Sequence, residues 1–358
     1  MNALSADLVQ FINQSGSKII SIVIPGGMGI DFSCKNKSVI SANHTVTFQS
    51  LKRCFLMTEN ADYFGEISVL DIGLYSRFLE SIETLFTFIS GPLVHSIIQP
   101  RSPFSHKGNH GHALLLAGNK GKMGAAVIAA KACLRSGVGM LTVNVPFAFS
   151  SIMHGSIAEA ILIAREENIQ FLNIYRSIGI GPGFGIDTDA EKILRSILTG
   201  YSAPMVIDAD AITLLSLHKD WLTSVPKGSI LSPHPKEFDR LFGTCENEYE
   251  RADKAMALSK KYPFIIILKG HFSLIAADGC GWYNLTGNAG LAKGGSGDVL
   301  TGMLTALLAQ NYSPLHAAMI GVYLHGLAAD IAVEEQSMES LLATDIIEMI
   351  GKAFRKVL

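Results

Sequence analysis

The sequence is short of charge: Asp, Glu, Lys and Arg make up 17% of its 358 residues, against 48% hydrophobic residues. That balance excludes a disordered or highly solvated chain, which needs charge and forgoes apolar side chains. An excess of either sign is also missing, with 29 basic and 31 acidic residues and a pI near 6.6. No global field draws the chain to nucleic acid or to an anionic membrane, so neither is an expected partner, and any anionic ligand has to be held by a local site. Cysteine is scarce and unpatterned. Cys34, Cys54, Cys133, Cys245 and Cys280 are odd in number and far apart, without the paired short spacings of a zinc site or a redox motif. They read as reduced packing residues of a cytoplasmic protein. No apolar run reaches the roughly 18 residues of a membrane helix, since Lys131 and Arg135 interrupt the most apolar helical stretch. The N-terminus lacks the basic-then-apolar layout of a signal peptide, so no export is expected.

The length exceeds the roughly 250–300 residues that one core comfortably holds, which predicts two units. From Gly111 onward short apolar runs alternate with helical patterns: HALLLAG, GAAVIAAKACLRSG, MLTVNVP, then APMVIDAD, GSILSP and FIIILKG. Strand alternating with helix predicts crossover connections and a mainly parallel sheet covered on both faces. Two helices are expected near the C-terminus, over Pro314–Val333 and Thr344–Leu358. The first ninety residues read as a helix near Ala6–Gln14 and strands in IISIVIP, HTVTFQS and GEISVLDIGL, a smaller α/β segment. Proline content and absent periodicity mark residues 93–103 as a linker, leaving 1–92 and 104–358 as the two units.

The strongest chemical signal is NAGLAKGGSGD, Asn288 to Asp298, at a turn that opens into an apolar helix. Gly294, Gly295, Ser296 and Gly297 read as an anion hole, because glycines let the backbone approach a ligand and the first helical amides favour negative charge. Asp298 at the helix start is a candidate base for a substrate hydroxyl beside a transferring phosphoryl group. A Gly-rich turn followed by a helix-favouring Asp explains the string equally well by itself. Four further motifs end predicted strands: GIGPGFG (Gly179–Gly185), VIDADAI with Asp208 and Asp210, SPHPKEF with His234 between two prolines, and LKGHFSLI with Lys269 and Gly270. Alone, each has a bland reading, with Asp210 as a helix cap and Lys269 as a surface cation. Together they fall at strand C-termini of one sheet, where open α/β sheets bind ligands.

These blocks resemble the ADP- or ATP-dependent NAD(P)H-hydrate dehydratases of the ribokinase-like superfamily, over nearly all of Phe104–Leu358. The resemblance extends to HALLLAGNKGKMGAAVIAAKACLRSGVGMLTV and GVYLHGLAAD, and is greatest to the bacterial, ADP-using branch. It implies a ribokinase-like three-layer α/β sandwich and an enzyme that phosphorylates the hydroxyl of hydrated NADH or NADPH with ADP. Loss of phosphate then restores the dihydronicotinamide, with AMP and phosphate as the other products. Mg²⁺ is implied to accompany the ADP, with no protein ligand assigned to it, and a homo-oligomer, a tetramer, is implied as the assembly. By resemblance Lys269, Gly270, His271, Phe272, Ser273 and Gly297 contact the nucleotide. Ala125, Gly185, His234 and Asp298 line the pocket of the hydrated cofactor, with Asp298 catalytic.

Residues 1 to about 92 resemble the second half of the NAD(P)H-hydrate epimerase domain often fused ahead of such dehydratases, through LVQFINQSGSKIISIVIPGG, ANHTVTF and ADYFGEISVLDIGL. The family's first half, with its cofactor loop, has no counterpart here, and Val23 stands where the family usually has an aspartate. Epimerase activity is therefore expected to be absent, the segment being a docking remnant or part of an incomplete gene product. Two rivals to the dehydratase stay open: a small-molecule kinase of the same fold, and a nucleotide sensor that has lost turnover.

Overall fold

A computed structural model describes residues 3–167, 169 and 172–358 of the chain, which separate into two compact units. The first comprises Met1–Leu85 together with Cys245–Lys254. It holds a three-stranded parallel sheet in the order β1 (Ile20–Ile22), β2 (His44–Phe48) and β3 (Glu66–Leu70), with the helix Ala3–Gln14 in the same unit. These are the strands and the helix expected from the sequence. Tyr249 belongs to this unit through its buried hydroxyl, which accepts a hydrogen bond from Asn60 Nδ2 at 3.1 Å. Val23, just past β1, has φ 72°, while its amide bonds to Val46 O at 2.8 Å. A β-branched residue in the left-handed region is strained, whereas Asp and Asn tolerate it better.

The second unit, Phe86–Thr244 with Ala255–Leu358, is built on a ten-stranded sheet. In chain order its strands are β4 (Phe86–Ile89), β5 (His112–Leu116), β6 (Met140–Val145), β7 (Ile161–Ala164) and β8 (Ser177–Ile180). They continue as β9 (Met205–Ile207), β10 (Ile230–Leu231), β11 (Ile265–Leu268), β12 (Leu274–Ala277) and β13 (Cys280–Asn284). Across the sheet the order is β4-β13-β12-β11-β10-β9-β8-β5-β6-β7. Only β12 runs against the rest, because β11 and β13 flank it as antiparallel hairpin partners and every other pairing is parallel. The central strands are buried through most of their length: Leu114, Leu115 and Leu116 of β5 and Ile178 and Ile180 of β8 are all fully buried. Continuous burial of this kind is what a parallel sheet covered on both faces requires. The fold is the mainly parallel α/β sandwich expected from the strand–helix alternation.

The expected linker over residues 93–103 is corrected by the structure. Phe86–Ile89 pairs with β13 as an edge strand, and Gly91–Ile97 is a helix with Pro92 in its first turn and Val94 fully buried. Pro92 starts a helix, a position where its missing N–H costs nothing, so proline content misled the reading. The boundary lies at Leu85, and Cys245–Lys254 joins the first unit. The expectation that no stretch is long and apolar enough for a membrane helix is also corrected. Pro314–Ala332 meets that test by length and composition, with 78% of its apolar window buried inside the protein. It is a core helix: Ala317, Ile320, Leu324 and Ala328 are fully buried.

The helix Ser296–Ala309 lies against Met123–Arg135 at backbone distance. A Cβ added at Gly302 would come within 2.1 Å of the Ala129 carbonyl oxygen. Helix propensity favours Ala over Gly by about 1 kcal/mol, but overpacking of this kind costs about 1–3 kcal/mol. Gly302→Ala is therefore expected to lower the melting temperature, and a calorimetric melt checks it. A rise would show that the two helices can part freely.

Candidate functional site

All five motifs sit at one edge of the ten-stranded sheet, beyond the C-terminal ends of β8, β9, β10, β11 and β13. The loop after β5, from Ala117 to Lys122, joins them there. The sheet thus delivers loops from a row of parallel strands to one side, where open α/β sheets bind ligands.

The helix Ser296–Ala309 begins without a side-chain cap. Its N-cap is Gly295, at φ 96°, and no side chain accepts from its first amides. Two neighbours behave otherwise: Asp187 caps Thr188–Gly200, and His234 caps Pro235–Phe242. Uncapped N–H groups need another acceptor, and a phosphate oxygen fits the positive end of the helix dipole. Gly294 has open space where a Cβ would point. A Cβ on Gly297 would lie 3.6 Å from Lys269 Nζ and 3.8 Å from Asp208 Oδ2, so this glycine turns its bare face toward a cation and a carboxylate. The stretch expected to be an anion hole, Gly294 to Gly297, thus opens a helix whose first amides no side chain caps, with Gly297 facing Lys269.

Asp298 occupies the third position of that helix and is half-buried. Burial pushes its carboxyl up to about 6, with Asp208 and Asp210 adding to the rise and Lys269 opposing it. A carboxylate so placed is mostly ionised at neutral pH yet basic enough to take a proton. Asp208 is the buried hub of the cluster, 2% exposed, and accepts from Lys269 Nζ at 2.8 Å and from Thr301 Oγ1 at 2.7 Å. Asp210 accepts from Lys122 Nζ at 3.1 Å and from the Gly185 amide at 2.9 Å. Neither aspartate caps the helix Ala209–Leu217 with its side chain; Asp208 stands at the N-cap position but points elsewhere. The bland reading of Asp210 as a cap does not hold.

Gly185, at φ 99°, packs its α-carbon toward Asn119, where a Cβ would meet Nδ2 at 2.6 Å. Ala125 lies in the first turn of Met123–Arg135, and a Cβ on Gly183 would sit 3.2 Å from Ala125 Cβ, which places it against the GIGPGFG loop. Lys269 to Ser273 form the connection between the antiparallel strands β11 and β12, with His271 packed edge-on against Phe272 at 4.4 Å. His234 does more ordinary work than its two prolines suggested. Its Nδ1 accepts from the amides of Lys236 and Glu237, at 3.1 and 3.2 Å, leaving Nε2 3.4 Å from Glu237 Oε1 on a half-exposed ring.

Sequence reasoning passed over the groups that hold these loops. His325, half-buried in the helix Pro314–Ala332, donates from Nε2 to the Ser296 carbonyl at 3.0 Å; desolvation draws its pKa down to about 4, so the ring is neutral. Asp330 on the same helix accepts from the Gly287 amide and from Asn288 Nδ2, both at 2.9 Å. Two histidines and an aspartate in a mostly apolar helix were the available signal.

A family model described as NAD(P)H-hydrate dehydratase matches residues 113–352. A bifunctional NAD(P)H-hydrate repair enzyme of Vibrio cholerae is 34% identical over 356 residues, which span 95% of this chain and 69% of that protein. Among solved structures, the ADP/ATP-dependent NAD(P)H-hydrate dehydratase of Bacillus subtilis, co-crystallised with ATP/Mg²⁺, superposes with a TM-score of 0.68 at 31% identity, covering 76% of this chain and 99% of that one. A ribokinase-like superfamily protein of Enterococcus faecalis does so with a TM-score of 0.69 at 28% identity, covering 77% and 98%.

The electrostatic account of Asp298 has a direct check. Asp208→Asn removes a like charge and leaves Lys269 without its carboxylate partner, and both changes favour an ionised Asp298. Its titration midpoint, followed by carboxyl carbon NMR, is expected near 6 in the parent and lower in the variant. An unchanged midpoint would show that Asp208 does not act on it.

Proposed function

The chain belongs to the NAD(P)H-hydrate dehydratase family, and on that premise we propose that it repairs hydrated NADH and NADPH at the expense of ADP. The observation that carries this reading is the uncapped glycine-led start of Ser296–Ala309, with Lys269 beside it and a basic Asp298 on its first turn. ADP lies with its diphosphate against the amides of Ser296, Gly297 and Asp298 and within reach of Lys269, and Lys269 to Ser273 border it. The hydrated nicotinamide faces Asp298 from the side of Gly185, Ala125 and His234.

Asp298 takes the proton of the ring hydroxyl as its oxygen attacks the β-phosphorus of ADP. The bond between that phosphorus and the bridging oxygen breaks, and AMP leaves. The C–O bond of the new phosphate ester then breaks with its electrons going to phosphate, which leaves more easily than hydroxide. The ring nitrogen supports the developing positive charge, and loss of a proton from the neighbouring carbon restores the dihydropyridine. The amides and Lys269 stabilise the transferring phosphoryl group, where positioning and charge supply most of the catalysis.

Mg²⁺ fits this arrangement as an ion carried by the diphosphate. Among the described residues no group of three or more His, Cys, Asp or Glu side chains forms a cage, and Mg²⁺ in phosphoryl-transfer sites is held by one or two carboxylates plus phosphate oxygens. Of Asp208 and Asp210, the more open Asp210 would hold it, and the ion would neutralise diphosphate charge. Five thiols without a disulfide among the described residues suit a reducing, cytoplasmic setting. The homo-oligomer implied by the family belongs to the same proposal.

We further propose that residues 1–85 contribute no epimerisation, since Val23 brings no carboxylate to the turn after β1. On a mixture of the two hydrate epimers the chain is then expected to restore nicotinamide absorbance in a fast phase and a slow one, the latter accelerated by an added authentic epimerase. A single fast phase to completion without that addition would contradict this.

Asp298→Asn keeps the shape of the side chain but removes the base. Turnover of hydrated NADH with ADP and Mg²⁺ is expected to fall about 10²- to 10⁴-fold, with ADP still bound. For the parent, an essential ionised carboxylate predicts that kcat/KM is flat above about pH 6 and falls about tenfold per unit below it. A variant with more than a tenth of parental activity, or a profile that rises toward low pH, would remove Asp298 from this role.

A further inference from the structure

Arg165, the residue just past β7, was not singled out by the sequence and plays no part in the chemistry above. Its side chain reaches back across the sheet edge. Nη2 donates to Ala117 O at 2.8 Å and to Asn144 O at 3.3 Å, Nε donates to Asn144 Oδ1 at 3.5 Å, and Nη1 donates to Phe184 O at 3.1 Å. The guanidinium carbon lies 4.6 Å from the Phe184 ring centroid. Ala117 follows β5, Asn144 is the last residue but one of β6 and Phe184 follows β8, so one group ties the C-terminal ends of four adjacent strands, β8-β5-β6-β7. No carboxylate lies within 4 Å of it among the described residues. Burial pulls its pKa down to about 10, against the pull of Asp187 and Glu166, yet it stays cationic at neutral pH. A desolvated cation is costly to keep, and here its direct partners are backbone carbonyls and an amide oxygen, with Asp187 and Glu166 acting from farther off.

The Phe184–Gly185 peptide is where this matters. Its carbonyl accepts from Arg165 and, at 3.2 Å, from Asn119 Nδ2, while its amide donates to Asp210 Oδ2. A peptide unit is planar, so fixing its C=O with a cation and its N–H with an anion fixes its orientation. Gly185 then holds a left-handed conformation at the face assigned to the hydrated cofactor.

We propose that Arg165 is a positioning residue for the dinucleotide substrate, acting through the Phe184–Gly185 peptide and leaving the ADP side untouched. This rests on the dehydratase reading for the identity of the substrate, and on the hydrogen bonds alone for the loop it holds. A flat guanidinium serves carbonyls lying in several directions; Lys offers one point charge and Met none.

The experiment compares the parent, Arg165→Met and Arg165→Lys in steady-state kinetics and in calorimetric binding of NADH, the product, and of ADP. For Arg165→Met the KM for hydrated NADH and the Kd for NADH are expected to rise about tenfold or more, with the values for ADP within about twofold of the parent. Arg165→Lys is expected to fall between the two, and it carries the comparison if the Met variant does not fold. Unchanged hydrate and NADH affinities, or equal losses for both ligands in step with the folded fraction, would overturn the proposal by reducing Arg165 to a brace of the sheet. A parent that binds NADH and ADP but does not turn over the hydrate would sink the reaction and leave the loop assignment to the binding data. A parent that binds no NADH would overturn both.

Discussion

Everything at the candidate site depends on one helix beginning with its amides unsatisfied. A Gly at the N-cap cannot supply the side-chain oxygen that Asp187 supplies elsewhere, so the first turn of Ser296–Ala309 is left seeking an acceptor. A helix end in that condition is stable only if the rest of the protein holds it in place. His325 bonds to the Ser296 carbonyl, Asp330 holds the loop at Gly287 and Asn288, and Gly302 lets the helix seat backbone to backbone on Met123–Arg135. The stability lost at the cap is offset in packing behind it, and what remains is a first turn free to meet an acceptor.

The charges around that turn follow from the same constraint. Lys269 sits where a diphosphate would bring negative charge, and Asp208 holds it there by an ion pair that is itself fastened by Thr301. Removing one member of a buried pair leaves the other uncompensated, which makes Asp208 as hard to replace as any residue touching a ligand. The same carboxylate raises the basicity of Asp298. One buried anion therefore serves two ends, the placement of a cation and the tuning of a base.

The sheet and the motif loops were legible because a parallel strand buried on both faces writes itself as an uninterrupted apolar run, and HALLL, MVI and IIIL are such runs. Edge elements were less legible. Phe86–Ile89 has too few buried positions to stand out, and Pro92 looked like linker until it was seen to start a helix. The glycines and Asp298 announced themselves by composition at a helix start. Asn119, Arg165 and Asp330 did not, because each acts on backbone groups distant in sequence, and a carbonyl acceptor leaves no trace in the residue that owns it. His234 carried a second role the sequence did not announce: its Nδ1 caps the helix that the second proline begins, while the ring stays half-exposed.

The central claim is that the bare first turn of Ser296–Ala309 binds the diphosphate, and calorimetric titration of ADP into Gly297→Val tests it most directly. The space around Gly297 admits a Cβ without a clash, the nearest atom being Lys269 Nζ at 3.6 Å, so the variant is expected to fold. Its branched side chain would stand between the amides and the phosphates, and ADP affinity is expected to fall at least about tenfold, or 1.4 kcal/mol. A folded Gly297→Val protein that binds ADP as tightly as the parent would contradict the account.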